Sequence, residues 1–266
     1  MNRTVVITGA SGSIGSETVR SMVSCGERVI MACRNLKKGE SVRRSVLAEF
    51  PLADIGLMHL DLSSLSSVRG FVSALDGMRV DALFNNAGVI SRGFRLSPDG
   101  IENTLATNYL GPYVLTRLLV PNMPEGSNVV NMVSLTCRFG NVDRDFFHKG
   151  EKDFRRLKTY SDTKLALLLF SVELSRRVPG IHVNVSDPGV VDSNMISMGK
   201  WFDPLADVLF RPFCNSPAKG AAPAVRALST EADLNYFVGD GNRPVPSRYR
   251  SHPLASWLWD ETARYL

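Results

Sequence analysis

Short apolar runs alternate with longer amphipathic ones along most of this sequence, and that alternation leaves few folds open. RTVVIT (3–8), ERVIMAC (27–33), IGLMHL (55–60), DALFN (81–85), NVVNMV (128–133) and HVNVS (182–186) read as strands, with a short further one at NYFV (235–238). Helical spacing of apolar residues falls near 14–25, 38–49, 64–75, 101–120 and 160–177. Strands that are apolar at nearly every residue are buried on both faces. In a β–α alternating chain that means a parallel sheet with helices on each side. The expected fold class is α/β, a doubly wound parallel sheet. A single domain over 1–266 is expected, since 44% apolar residues suffice for one large core and no repeat or low-complexity linker divides the chain.

Charge and cysteine content exclude several functions. The net charge of +5 is spread along the chain, with no run of five like charges and no arginine-rich arm. Nucleic acid is therefore not an expected partner, whereas a small anionic ligand fits a modest positive balance. Cys25, Cys33, Cys137 and Cys214 form no C-x-x-C pair, so neither a metal site nor a disulfide framework is expected. The first strand begins by Thr4, leaving no room for a signal peptide, and the longest apolar run, LALLLFSV at 165–172, is too short to span a bilayer. A cytoplasmic protein with no transmembrane segment is the expectation.

Two segments break the alternation, at about 138–158 and 189–223. Both leave the C-terminal ends of strands, where open α/β sheets bind ligands, and both are read as substrate loops. The second is dense in apolar residues, among them Met195, Trp201, Phe202, Phe210 and Phe213, as an apolar lid over a hydrophobic substrate would be. The tail SHPLASWLWDETARYL has an amphipathic pattern that would pack on the domain, meet a second subunit or touch a membrane surface.

The stretch TGASGSIG, residues 8–15, joins the first strand to the first helix. Glycines at such a turn let the backbone approach a pyrophosphate, and the helix N-terminus offers free N–H groups with partial positive charge. This marks the fold as Rossmann-type. Gly9, Gly12 and Gly15 form the turn, with Ser11, Ser13 and Ile14 alongside. The second strand ends in Cys33-Arg34-Asn35, with a guanidinium where a carboxylate would bind ribose hydroxyls. Arg34 suits a 2′-phosphate, so NADP(H) is expected over NAD(H).

Further along, Tyr160 and Lys164 lie one helical turn apart on one face. A free phenol has a pKa near 10, and a neighbouring ammonium favours its ionised form, moving it toward the range useful for general acid–base chemistry.

TGASGSIG, NNAG at 85–88, Asn108 within ATNYLGPY, Ser134 after VVNMV, YSDTK at 160–164 and DPGVV at 187–191 occur in this order over nearly the whole length. Together they resemble the short-chain dehydrogenase/reductase family, most like its retinol-dehydrogenase-like and protochlorophyllide-reductase-like branch. The resemblance implies that Tyr160 protonates a substrate carbonyl oxygen while a nicotinamide delivers hydride, and that Ser134 hydrogen-bonds the same oxygen. Lys164 would hold ribose hydroxyls and lower the phenol's pKa, and Asn108 would hold a water linking Lys164 to bulk. Asn86, Ala87 and Gly88 would line the cofactor groove, Asp61 and Leu62 would flank the adenine, and Pro188, Gly189, Val190, Val191 and Ser193 would meet the nicotinamide end. A small-molecule carbonyl or alcohol substrate is implied, with homo-oligomerisation through the helices at 101–120 and 160–177.

The glycine spacing itself resembles a different branch. Single-domain members carry G-x-x-x-G-x-G, whereas glycines at 9, 12 and 15, with Ser13 in place of the middle glycine, resemble the extended branch of NAD-dependent sugar-nucleotide epimerases and dehydratases. Little chain follows Asp187 for the larger lobe that branch uses, and Arg34 opposes tightly held NAD, so the single-domain reductase is the expectation. A non-catalytic nucleotide-binding protein is the remaining alternative.

Overall fold

The structure, a computed structural model, describes residues 2–191 and 215–266. Its strands are β1 (Thr4–Thr8), β2 (Arg28–Cys33), β3 (Ile55–His59), β4 (Ala82–Asn85), β5 (Asn128–Met132), β6 (His182–Asp187), β7 (Asn235–Val238) and β8 (Gly241–Pro244). They form one sheet in the order β3-β2-β1-β4-β5-β6-β7-β8. All neighbours pair in parallel except β7 with β8. Val5 of β1 sits between Val29 of β2 and Ala82 of β4, and this is where the strand order reverses. The loops leaving β1 and β4 diverge there and open the crevice in which such sheets bind ligands.

The helices are α1 (Ser13–Ser24), α2 (Leu36–Glu49), α3 (Leu65–Ala74), α4 (Asn103–Leu105), α5 (Gly111–Leu119), α6 (Arg156–Arg177), α7 (Pro217–Leu228), α8 (Ser247–Arg250) and α9 (Ala255–Thr262). A π turn, Ala106–Leu110, joins α4 to α5. Every residue of β1, β4 and β5 is buried, because helices cover both faces. One layer packs Val19 and Met22 of α1, Val46 of α2 and Ala224 of α7 on the sheet. The other packs Val68 of α3, Tyr113 of α5, Phe170 of α6 and Trp259 of α9. The seven expected strands and five expected helices are all present, within a few residues of their expected bounds.

The expected loop 189–223 ends earlier than read: Ser216 caps α7 by accepting from the Lys219 amide, and Pro217 supplies the preset first-turn φ. The rest of that segment's apolar lid, with Ser193, lies outside the described residues.

The C-terminal tail packs on the domain. Trp259 stacks on Phe170 (centroids 5.7 Å apart, 25° between planes) and meets Tyr113 edge-on at 5.6 Å. Arg117 and Arg177 place guanidinium carbons 4.3 and 5.1 Å from its ring centroid. The Tyr113 hydroxyl donates to the Trp259 carbonyl (2.9 Å), and the Tyr109 hydroxyl meets Thr262 Oγ1 at 2.7 Å. The outer face of α5 and α6 is thus covered from within the chain. Trp259→Ala should cost about 3–5 kcal/mol of unfolding free energy, read from the denaturant midpoint. An unchanged midpoint would show that α9 adds nothing to the core. No helix among the described residues is long and apolar enough to cross a membrane.

Candidate active site

The turn leaving β1 is dictated by close packing. Gly9 has φ +62°, and a Cβ there would lie 2.9 Å from the Ala87 Cα. A Cβ on Gly15 would lie 2.5 Å from the Gly9 carbonyl oxygen and 2.8 Å from the Ala10 Cα. Gly12 is different: its Cβ would meet only the Gly9 oxygen, at 3.3 Å. Gly12 is the N-cap of α1 and offers no side chain to the first-turn N–H groups, and no acidic residue sits in that turn. The anion-binding end of α1 is therefore left open to a ligand. Ser13, where single-domain members carry the middle glycine, is exposed.

NNAG is stitched to this turn. Thr8 Oγ1 accepts from the Asn86 and Ala87 amides, each at 3.0 Å, and Asn86 Nδ2 donates to the Thr8 carbonyl at 2.7 Å. Ser11 meets the buried Cys33 thiol beneath, where burial pushes that thiol's pKa up. Arg34 is exposed and has no protein partner among the described residues, while Asn35 caps α2 by accepting from the Lys38 amide. Asp61 shapes the turn after β3, its Oδ1 accepting from the Ser63 amide (2.9 Å) and hydroxyl (2.7 Å). The buried Leu62 lies directly against Gly111, where a Cβ would come within 2.2 Å of the Leu62 oxygen. Ile14 is half-buried. Gly189 has φ +69°, Pro188 is half-buried, Val190 is exposed and Val191 is buried.

The reactive residues converge beside this groove. Ser134 lies two residues past β5 and caps a short 3₁₀ turn by accepting from the Thr136 amide (3.3 Å). Its hydroxyl lies beside the Tyr160 phenol. Lys164, 2% exposed, donates from Nζ to the Met132 carbonyl at 2.7 Å. Asn108 lies in the π turn, fully buried; its amide accepts from Val89 N (2.8 Å) and donates to Val89 O (2.9 Å) and to Thr163 Oγ1 (3.3 Å). Asn108 and Lys164 both close on Gly88, whose Cβ would lie 3.6 Å from Asn108 Oδ1 and from Lys164 Nζ.

The expected electrostatics of the phenol differ here. Burial dominates and pushes Tyr160 up to about 12, with the neighbouring Ser134 hydroxyl acting the other way. Lys164 lies over the ring face, 5.7 Å from its centroid, with the ammonium bound to Met132. Burial in turn lowers Lys164 to about 8, with Asp187 pulling it upward. Asp187 itself is buried and was not among the residues expected to act; it stands at the end of β6, whose sequence HVNVSD alternates polar and apolar residues.

The 138–158 segment encloses a cavity of about 490 Å³ with Phe94, Phe146, Phe147, Phe154 and the Thr159–Thr163 side of α6. None of Ser134, Tyr160 and Lys164 lines it.

A family model described as short chain dehydrogenase matches residues 3–200. The chain belongs to the short-chain dehydrogenase/reductase family. Retinol dehydrogenase 12 of Mus musculus is 34% identical over 99% of this chain and 86% of its own length, which sets this family member on the retinol-dehydrogenase-like branch. A crystal structure of a protein from Mycobacterium Paratuberculosis superposes with TM-score 0.80 at 29% identity, covering 99% of this chain and 92% of that one. A short-chain dehydrogenase from Sphingobium yanoikuyae, solved in complex with NADPH, shares the fold with TM-score 0.68 at 18% identity, over 98% and 93% of the two chains. This short-chain dehydrogenase/reductase is thus an oxidoreductase of alcohol and carbonyl groups. Its open α1 terminus, the close-packed Gly9 and Gly15, and Arg34, unpaired among the described residues, fit a nicotinamide dinucleotide.

Proposed function

We propose that this protein is an NADP(H)-dependent oxidoreductase of a hydrophobic ketone, aldehyde or secondary alcohol. The observation that carries the reading is the Ser134 hydroxyl set beside the Tyr160 phenol, with Lys164 buried one turn further along α6. When bound, the nicotinamide supplies or accepts the hydride. Tyr160 and Ser134 then hold the substrate oxygen between two hydroxyls, and Tyr160 passes its proton to that oxygen in reduction. A phenol pushed up to about 12 is fully protonated at neutral pH and still a far stronger acid than an alcohol. Lys164 uses one N–H on Met132, which leaves two for ribose hydroxyls. Asn108 fixes the segment after NNAG and is the family position for a proton-relaying water.

Preference for NADP(H) rests on Arg34, which is exposed, unpaired among the described residues and without a neighbouring acid at the end of β2. The apolar substrate class rests on the sequence of 192–214 and on the branch. A cytoplasmic homo-oligomer remains the reading for location and assembly, but pairing through α5 and α6 would have to accommodate α9 on that face.

Titration of the purified protein with NADPH and with NADH, followed by nucleotide fluorescence, tests the cofactor. Arg34→Ala should weaken NADPH by about 10–100-fold, as loss of a charged hydrogen bond implies, and leave NADH unchanged. Equal effects on both nucleotides would refute the role of Arg34. Turnover is then sought by NADPH consumption over a panel of hydrophobic carbonyls.

A further inference from the structure

Among the described residues, three buried carboxylates are paired in direct contact: Asp81 with Arg79, Asp162 with Lys158, and Glu173 with Arg176 and Arg177. Glu102 instead caps its own helix, accepting from Thr104 Oγ1 and the Leu105 amide. Lys164 and Asp187 are each 2% exposed and have no such ion pair among the described residues. Yet they lie at the same end of the sheet. Lys164 Nζ is bound to the carbonyl of Met132, Met132 is in register with Ser186 on the neighbouring strand, and Asp187 follows Ser186. An isolated ammonium and an isolated carboxylate are each costly to bury, and in a low-dielectric interior their mutual attraction acts beyond contact distance.

Asp187 is also held firmly. The Tyr236 hydroxyl donates to its Oδ2 at 2.6 Å and the Gly189 amide to its Oδ1 at 2.9 Å. The second bond sets the left-handed Gly189 turn, which follows directly from β6. We propose that Asp187 is a positioning residue of the reaction centre: anchored by Tyr236, it is the buried counter-charge that keeps Lys164 an ammonium and shapes the turn through Pro188 and Gly189. This rests on the reading of Tyr160 and Lys164 given above.

The ionisable groups around Asp187 are Tyr236 on β7, Tyr160 and Lys164 on α6, and Cys137 after β5, with Tyr249 and Arg248 of α8 behind Cys137. The carboxylate favours the protonated form of Lys164, Tyr160 and Cys137 alike. For the first two the direction is the one a proton-donating, carbonyl-reducing site requires.

The test is NADPH affinity, by nucleotide fluorescence, from about pH 7 to 10, a range that brackets a lysine shifted downward. In the unaltered protein, affinity should hold at neutral pH and fall as Lys164 loses its proton near pH 8. Asp187→Asn keeps the shape and removes the charge, so the fall should begin about one pH unit lower, with affinity near pH 8 down by up to tenfold. Tyr236→Phe keeps the carboxylate and should leave the onset in place. Asp187→Ser, also neutral, replaces Asp187→Asn if the latter does not fold, with the same shift expected. A neutral variant whose curve superimposes on the unaltered protein overturns the proposal. Lys164→Met separates the two readings: it should abolish the alkaline fall, and if the fall persists the role of Lys164 is wrong, not that of Asp187 alone.

Discussion

Tyr160→Phe is expected to reduce turnover by about 10²–10⁴-fold, the usual contribution of a positioned general acid. Nucleotide affinity should change little, because the phenol lies beside Ser134 and makes no hydrogen bond to the glycine turn. The ring stays, so the buried face of α6 keeps its packing and the melting temperature should hold. Steady-state rates and fluorescence titrations on the same preparation check this. Full activity in the Phe variant would mean that another donor, Ser134 first, protonates the substrate.

Gly15→Ala should be the most damaging single-methyl change at the cofactor groove. Its Cβ would stand 2.5 Å from the Gly9 oxygen, 2.8 Å from the Ala10 Cα and 3.0 Å from Asn86 Nδ2. Two of those are backbone atoms of the turn itself, so relief requires moving the turn away from α1. Overpacking of this kind costs about 1–3 kcal/mol, and the displaced N–H groups should weaken NADPH by at least about tenfold. Gly12→Ala is the matched control: its Cβ meets one atom at 3.3 Å and its φ is −80°. It should cost much less of both. Equal losses in the two variants would show that the turn tolerates no side chain anywhere, and that the steric distinction between the glycines is wrong.

The sheet was legible because parallel strands buried on both faces leave a continuous apolar trace. β8 left none: Gly241, Asn242, Arg243 and Pro244 are all exposed and are a strand only through pairing with β7. The Gly239-Asp240 pair between them, a two-residue hairpin signal, was the available clue. Ordered motifs picked out the candidate reactive residues, and the structure places Ser134 beside Tyr160 and Lys164 beside Gly88. Their electrostatics were not legible. A one-turn spacing predicts that ammonium and phenol are near, but the Met132 carbonyl takes the ammonium and burial is the largest influence on the phenol. Asp187 escaped notice for a related reason, since a sequence gives no sign that a carboxylate at a strand end faces inward.

The cover that α9 lays over α5 has a consequence during synthesis. Tyr113 waits for a partner carbonyl at Trp259, 146 residues later in the chain. At about 5–20 residues per second, the apolar side of α5 emerges roughly 7–30 s before its lid exists. The nascent nucleotide-binding half can form its strands in that interval, but it carries an adhesive face for all of it. Slow translation through the second half of the message should therefore raise aggregation more than slow translation through the first.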